Sequence, residues 1–195
     1  MALPATSERF AFGAYCTWPE DERWELIDGV PFAMSPAPDW PHQSLVATLT
    51  AAIFSHLKGG TCRVLPSPLD VLLPKADEAD DSVDTVVQPD LVVLCDQSKL
   101  TRHGVRGAPE WVIEILSPST AGRDQREKRE LYERHGVAEY WIVSPSERLV
   151  WTYRLEAGAY GKPAIYDEAM TASPQAFPDL VVSLTELFAD IPRIE

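Results

Sequence analysis

The sequence predicts an α/β fold organised as one domain. Two short apolar runs, residues 89–94 and 110–116, have the length and composition of buried strands. Between Leu45 and Leu57 apolar residues recur at helical spacing. A second helical stretch, residues 121–135, follows the second run and precedes a pair of strand-like segments.

Taken in order, residues 7–18 suit a short helix or turn that ends near Pro19. Residues 23–29 read as a strand entering a turn, and Asp28-Gly29 is a two-residue hairpin signal. Residues 30–34 are the return strand, with Pro31 placing it at an edge or bulge. A proline-rich entry at 35–41 leads into a helix whose apolar face is Leu45, Val46, Leu49, Ala52, Ile53 and Leu57. Gly59-Gly60 stops it. His42 lies three residues before Leu45, on the buried side of the helix start. Residues 62–65 and 69–73 are short strands, and 86–94 is a longer one. Residues 96–109 read as a polar loop carrying Lys99, Arg102, His103 and Arg106. The run 110–116 is nearly all apolar, which predicts a central strand. Ser119 or Thr120 caps the next helix, and Gly136 ends it. Residues 139–143 and 149–155 form a strand pair across the turn 144–147, and 181–188 is a short strand and helix.

Composition excludes several classes. Of 195 residues, 45% are hydrophobic, enough for a core, yet no run of about 18 apolar residues predicts a membrane span. The N-terminus lacks a signal-peptide pattern, so a cytoplasmic protein is expected. Cys16, Cys62 and Cys95 are far apart and form no CxxC pair, which argues against a zinc site or a disulfide framework. They are expected to be small residues in or near the core. The net charge of −13 opposes non-specific attraction to nucleic acid or anionic lipid. Part of it is local: Asp77, Glu78, Asp80, Asp81 and Asp84 read as a solvated loop without the residue order of an EF-hand.

The chemistry resides in the two apolar runs. Each carries one carboxylate, Asp90 in the first and Glu114 in the second. An ionised carboxylate among hydrophobes needs a partner or a metal, and two suggest a shared cation. Magnesium or manganese takes oxygen ligands: one or two carboxylates, water and substrate phosphate. The Ile115 carbonyl offers a third oxygen. On the helix 121–135, residues Ala121, Asp124, Gln125, Lys128, Leu131, Tyr132 and His135 share one face at 100° per residue. Lys128 therefore sits on the side that packs on the sheet, where a lysine wants a carboxylate or phosphate. The bland readings are a lysine that snorkels past the apolar face or pairs with Asp124.

The segments 24–29 (Trp-Glu-Leu-Ile-Asp-Gly), Pro89-Asp90, 112–120 (Val-Ile-Glu-Ile-Leu-Ser-Pro-Ser-Thr), Lys128 with Tyr132, and 136–141 (Gly-Val-Ala-Glu-Tyr-Trp) resemble the Uma2 family. That bacterial family is grouped with restriction endonucleases in the PD-(D/E)XK nuclease-like superfamily, and the likeness spans residues 8 to 188. The resemblance implies a restriction-endonuclease-like mixed β-sheet core flanked by helices, with additional N-terminal hairpin strands. It implies that Asp90 is the first acid and Glu114 the second. The lysine usual two places after the second acid is absent, since Leu116 stands there. Lys128 resembles the lysine that has migrated to the following helix in branches of the superfamily. Glu25 resembles an acid of the N-terminal segment that joins the site in relatives, the alternative being a hydrogen-bonded strand residue. His42 falls in another similar stretch and is either a satisfied structural histidine or a site residue near the carboxylates.

Together these imply a Mg²⁺- or Mn²⁺-dependent endonuclease that hydrolyses DNA phosphodiester bonds with metal-activated water. Asp90, Glu114 and Glu25 would hold the ion, with Lys128 as the catalytic lysine and Gln125 adding a hydrogen bond. A homodimer with one site per strand is expected from the resemblance, and Trp40 and Trp151 are candidate surface residues for such a contact. The competing reading is a catalytically inactive nuclease-fold module for binding or regulation. Its support is charge: between Arg123 and Arg134 the bases Arg123, Arg126, Lys128, Arg129 and Arg134 alternate with Asp124, Glu127, Glu130 and Glu133, so no basic stripe appears. A weaker third reading is a metal-dependent hydrolase of another phosphoester.

Overall fold

The computed structural model of the chain describes residues 8–19, 21–34, 39–117 and 124–193. A single helical turn, α1 (Phe12–Tyr15), precedes the hairpin β1 (Trp24–Ile27) and β2 (Val30–Ala33). Asp28 and Gly29 both have positive φ, 49° and 77°, which matches the twist of a two-residue hairpin turn. Pro31 lies on β2, the outermost strand of its sheet, where a missing N–H costs no ladder bond. Helix α2 (Trp40–Leu57) starts at Asp39, whose carboxylate accepts from the His42 N–H at 3.1 Å.

Strands β3 (Arg63–Pro66) and β4 (Asp70–Leu72) follow, then β5 (Val86–Val87) and β6 (Leu91–Leu94). Next come β7 (Leu100–Thr101), β8 (Gly104–Arg106) and β9 (Trp111–Ile115). A wide helical turn at Asp124–Lys128 runs into α3 (Arg129–His135), which Gly136 ends with φ of 81°. The chain finishes with β10 (Glu139–Ser144), β11 (Leu149–Glu156), β12 (Ala159–Tyr160), β13 (Ala164–Asp167), β14 (Thr171–Ala172), β15 (Val182–Ser183) and α4 (Leu184–Leu187). No helix among the described residues is long and apolar enough to cross a membrane.

The strands make two principal sheets. One runs β2-β1-β5-β4-β8-β7; the other runs β12-β11-β10-β9-β6-β3, with β13 also pairing β11. Both are mixed: β9 with β10 and β4 with β8 are parallel, and the other pairs are antiparallel. Strand β9 is central and wholly buried, as its apolar run predicts. Its alternation divides the core. Trp111, Ile113 and Ile115 pack with Leu45, Leu49 and Ile53 of α2, whereas Val112 packs with Leu131 and Tyr132 of α3. Glu114 shares the parity of Val112, so the pleat turns it toward α3. Burying each of these leucines and isoleucines stabilises the fold by roughly 1.5–3 kcal/mol.

Several expectations need correction. Residues 86–94 do not form one strand: β5 belongs to the first sheet and β6 to the second, with Gln88-Pro89-Asp90 crossing between them. Pro89 has no N–H to extend a ladder, which favours a break there. The loop expected at 96–109 contains β7 and β8, strands too short to show alternation. Gly104 is required in β8, because a Cβ there would lie 2.1 Å from the Asp70 carbonyl oxygen. Ala52 is exposed rather than part of the apolar face of α2. Trp40 is exposed, 60%, but Trp151 is half-buried against the core. The acidic loop is partly tied down, with Lys75 pairing Asp28 and Asp84, and Arg106 pairing Asp80. The expected caps Ser119 and Thr120 lie outside the described residues.

The cysteines give the clearest reversal. Cys62 and Cys95 are bonded to each other, and Cys16 is exposed and free. Arg63 pairs with Leu94 across β3 and β6, so the next step of that antiparallel register brings the two cysteines face to face. Their separation of 33 positions in sequence hides this. Closing a loop of that size is expected to contribute about 3–4 kcal/mol. Dithiothreitol should therefore lower the urea midpoint of unfolding, and an unchanged midpoint would remove this role from the pair.

Candidate active site

The crossing at Gln88–Asp90 creates the site. Leu91 pairs with Ile113 and Val92 with Val112, so one further step of the register sets Asp90 opposite Glu114. The contacts agree: the Ile115 N–H donates to Asp90 Oδ2 at 2.8 Å, and the Asp90 N–H points to Glu114 Oε2 at 3.4 Å. Each carboxylate thus reaches the backbone of the other's strand. Asp90 Oδ2 also lies 3.1 Å from His42 Nε2, at the start of α2. The buried histidine expected on residue spacing is therefore beside the acids.

Lys128 is buried on the inner face of its helix, 4% exposed, as the periodicity predicts. Its Nζ lies 2.8 Å from Glu114 Oε1 and 2.9 Å from Glu25 Oε1. The lysine contacts Glu114 and Glu25, and its link to Asp90 runs through Glu114. The wide turn at 124–128 changes the helical phase just before α3; such turns are frequent at functional sites. The side chains of Asp124 and Gln125, and with them the hydrogen bond expected from Gln125, lie outside the described residues.

Glu25, 1% exposed, is fixed by the first sheet. Strand β1 pairs with β5, and the Gln88 N–H donates to Glu25 Oε1 at 2.9 Å. The break that leaves Asp90 at the junction thus also supplies an N–H to Glu25. Tyr132, fully buried one turn after Lys128, donates its hydroxyl to Glu114 Oε1 at 2.8 Å. Sequence reasoning placed Tyr132 on the packing face but missed this bond. The available signal was a phenol four residues from the lysine, on the same helix face.

Three acids, Glu25, Asp90 and Glu114, stand against one ammonium, Lys128, with His42 counted neutral. In ionised form they sum to a charge of −2 (three minus one). Such a cluster attracts a divalent cation more than it attracts a phosphodiester. The donor set suits a hard cation, because Asp90 and Glu114 face each other with oxygen donors only. Among the described residues no group of three or more His, Cys, Asp and Glu side chains is arranged to hold a metal.

A solved structure described as a putative nuclease belonging to DUF820 from Anabaena variabilis superposes with a TM-score of 0.73 at 22% identity, covering 92% of this chain and 98% of that one. The chain thus has a nuclease-like mixed α/β fold. It belongs to the Uma2 family, described as "Putative restriction endonuclease", whose model matches residues 12–185. An uncharacterized protein from Synechocystis sp. is 29% identical over 133 residues, 67% of this chain, and this chain spans 66% of that relative's length.

Proposed function

We propose that the chain is a Mg²⁺- or Mn²⁺-dependent endonuclease that hydrolyses DNA phosphodiester bonds. One observation carries the reading: the β6–β9 register sets Asp90 opposite Glu114, and Lys128 from the next helix is paired to Glu114. Membership of the Uma2 family supports the same class of chemistry.

In this reading Asp90 and Glu114 hold the ion, with Glu25 as the third acid and the Ile115 carbonyl as an additional oxygen. The bound ion supplies Lewis acidity toward water and toward the phosphoryl oxygens. The chain's own groups do the positioning. The Ile115 N–H and His42 fix one oxygen of Asp90. Tyr132 and Lys128 fix one oxygen of Glu114. Lys128 then presents its ammonium beside the acids, placed to orient water and to offset charge developing on phosphorus. The proposed setting is a cytoplasmic homodimer, one site for each DNA strand.

The second reading, a nuclease fold serving only to bind or regulate, is favoured by the ion pairs that already engage Lys128 with both glutamates. One assay separates them. Single-stranded, duplex and branched DNA are incubated with the chain in Mg²⁺ or Mn²⁺, beside Asp90→Ala and Lys128→Ala. Cleavage by the unchanged chain alone is expected. Cleavage that survives both substitutions sinks the site, and absence of both cleavage and calorimetric metal binding selects the inert module.

A further inference from the structure

Arg23 immediately precedes β1, the strand that carries Glu25. Gln88 connects them. Its backbone N–H donates to Glu25 Oε1, and its side-chain Oε1 accepts from Arg23 Nε and Nη2 at 2.9 and 2.7 Å. The amide is held in this orientation from its other end, where Nε2 donates to Asp70 Oδ1 at 2.8 Å and to the Tyr15 hydroxyl at 3.1 Å. Burial and the Asp70 charge push the Tyr15 phenol up, so it remains a neutral hydroxyl and donates to Asp70.

The second anchor is Ser67. Its hydroxyl accepts from Arg23 Nη2 at 2.8 Å, and its backbone N–H donates to the Asp90 carbonyl at 2.9 Å. Arg23 is therefore tied to both acid-bearing segments, at Glu25 through Gln88 and at Asp90 through Ser67. Both partners of the guanidinium are neutral. Among the described residues no carboxylate pairs with Arg23, and its Nη1 has no partner. A half-buried guanidinium oriented by neutral groups keeps its charge for an anion. In a chain of net charge −13, this is a cation beside an acid cluster that otherwise repels phosphate.

We propose that Arg23 is a substrate-binding residue that grips a non-bridging oxygen of the nucleic-acid backbone next to the scissile phosphate. Its planar fork suits phosphate oxygens, and its fixed position sets the strand over Asp90 and Glu114. The inference rests on the endonuclease reading and adds the contact that brings the substrate in.

The test is fluorescence anisotropy with labelled duplex DNA, Ca²⁺ replacing Mg²⁺, across a salt series, for the unchanged chain, Arg23→Gln and Arg23→Lys. Arg23→Gln is expected to bind about 10-fold more weakly and to flatten the log–log salt slope by about 0.9, the loss of one phosphate contact. Calorimetric Mn²⁺ affinity in the absence of DNA should not change. Arg23→Lys should keep the slope and lose roughly 3-fold in affinity, because a point charge replaces the fork. DNA binding by the unchanged chain that neither substitution alters overturns the role of Arg23 alone. So does a loss of Mn²⁺ affinity equal to the loss of DNA affinity, which marks Arg23 as a prop for Glu25. No DNA binding by the unchanged chain overturns the endonuclease reading and this inference with it.

Discussion

Lys128→Met is expected to destabilise the metal-free chain by about 3–5 kcal/mol at neutral pH. The side chains of Lys128, Glu25 and Glu114 are 5%, 2% and 4% exposed, so solvent screens their pairing little. Methionine fills much of the lysine's volume, which isolates the loss of charge from the loss of packing. It leaves two carboxylate oxygens directed at the vacated ammonium position, each having lost a charged hydrogen bond. Breaking one side of a buried pair costs more than the pair itself contributes, because the surviving charges remain buried. Urea unfolding in EDTA measures this. With a slope near 2 kcal/mol/M, the midpoint should fall by roughly 2 M. Combining Lys128→Met with Glu25→Gln should recover part of the loss, because one of the two stranded charges is gone. A loss under about 1 kcal/mol would mean that the lysine only snorkels past the apolar face.

The candidate site was legible in the sequence to the extent that its proposed members break a local pattern. Asp90 and Glu114 interrupt apolar runs, and Lys128 interrupts the apolar face of a helix; each anomaly is visible within a few residues. Glu25 and His42 were weaker signals, because their partners come from distant segments: Gln88 and Lys128 for one, Asp90 for the other. Such contacts depend on how the two sheets meet. The same limit explains the misreading of 86–94. Local apolarity favours one strand, whereas pairing with β1 and β4 on one side and with β3 and β9 on the other divides it at Pro89. That division places Asp90 at the junction. It also explains Cys62 and Cys95, whose proximity is a property of the β3–β6 register, and Arg23, whose neutral anchors Gln88 and Ser67 are 65 and 44 positions away. Longer range in sequence, not weaker chemistry, separates what was read from what was missed.

Asp90→Asn is expected to leave the fold nearly intact and to remove most of the metal affinity. Asp90 keeps 19% of its side chain exposed, and an asparagine carbonyl can still accept from the Ile115 N–H. The stability cost should therefore be near that of one altered hydrogen bond, about 1 kcal/mol. The electrostatic change is larger, since one of two facing carboxylates disappears and the cluster's charge falls from −2 to −1. Substituting groups that merely support a metal ligand costs 10–100-fold in affinity, so losing the ligand's charge should weaken Mn²⁺ binding by more than about 100-fold. Cleavage should fall by roughly 10³-fold or more. His42 supplies the contrast. His42→Ala removes the group that orients Asp90 without touching its charge, and should weaken Mn²⁺ about 10-fold. His42→Gln, which can again donate to the carboxylate, should recover much of that loss. Calorimetry on the three variants therefore ranks them, with Asp90→Asn weakest, His42→Ala between, and His42→Gln near the unchanged chain. Equal Mn²⁺ affinity in Asp90→Asn and the unchanged chain would remove Asp90 from the metal site.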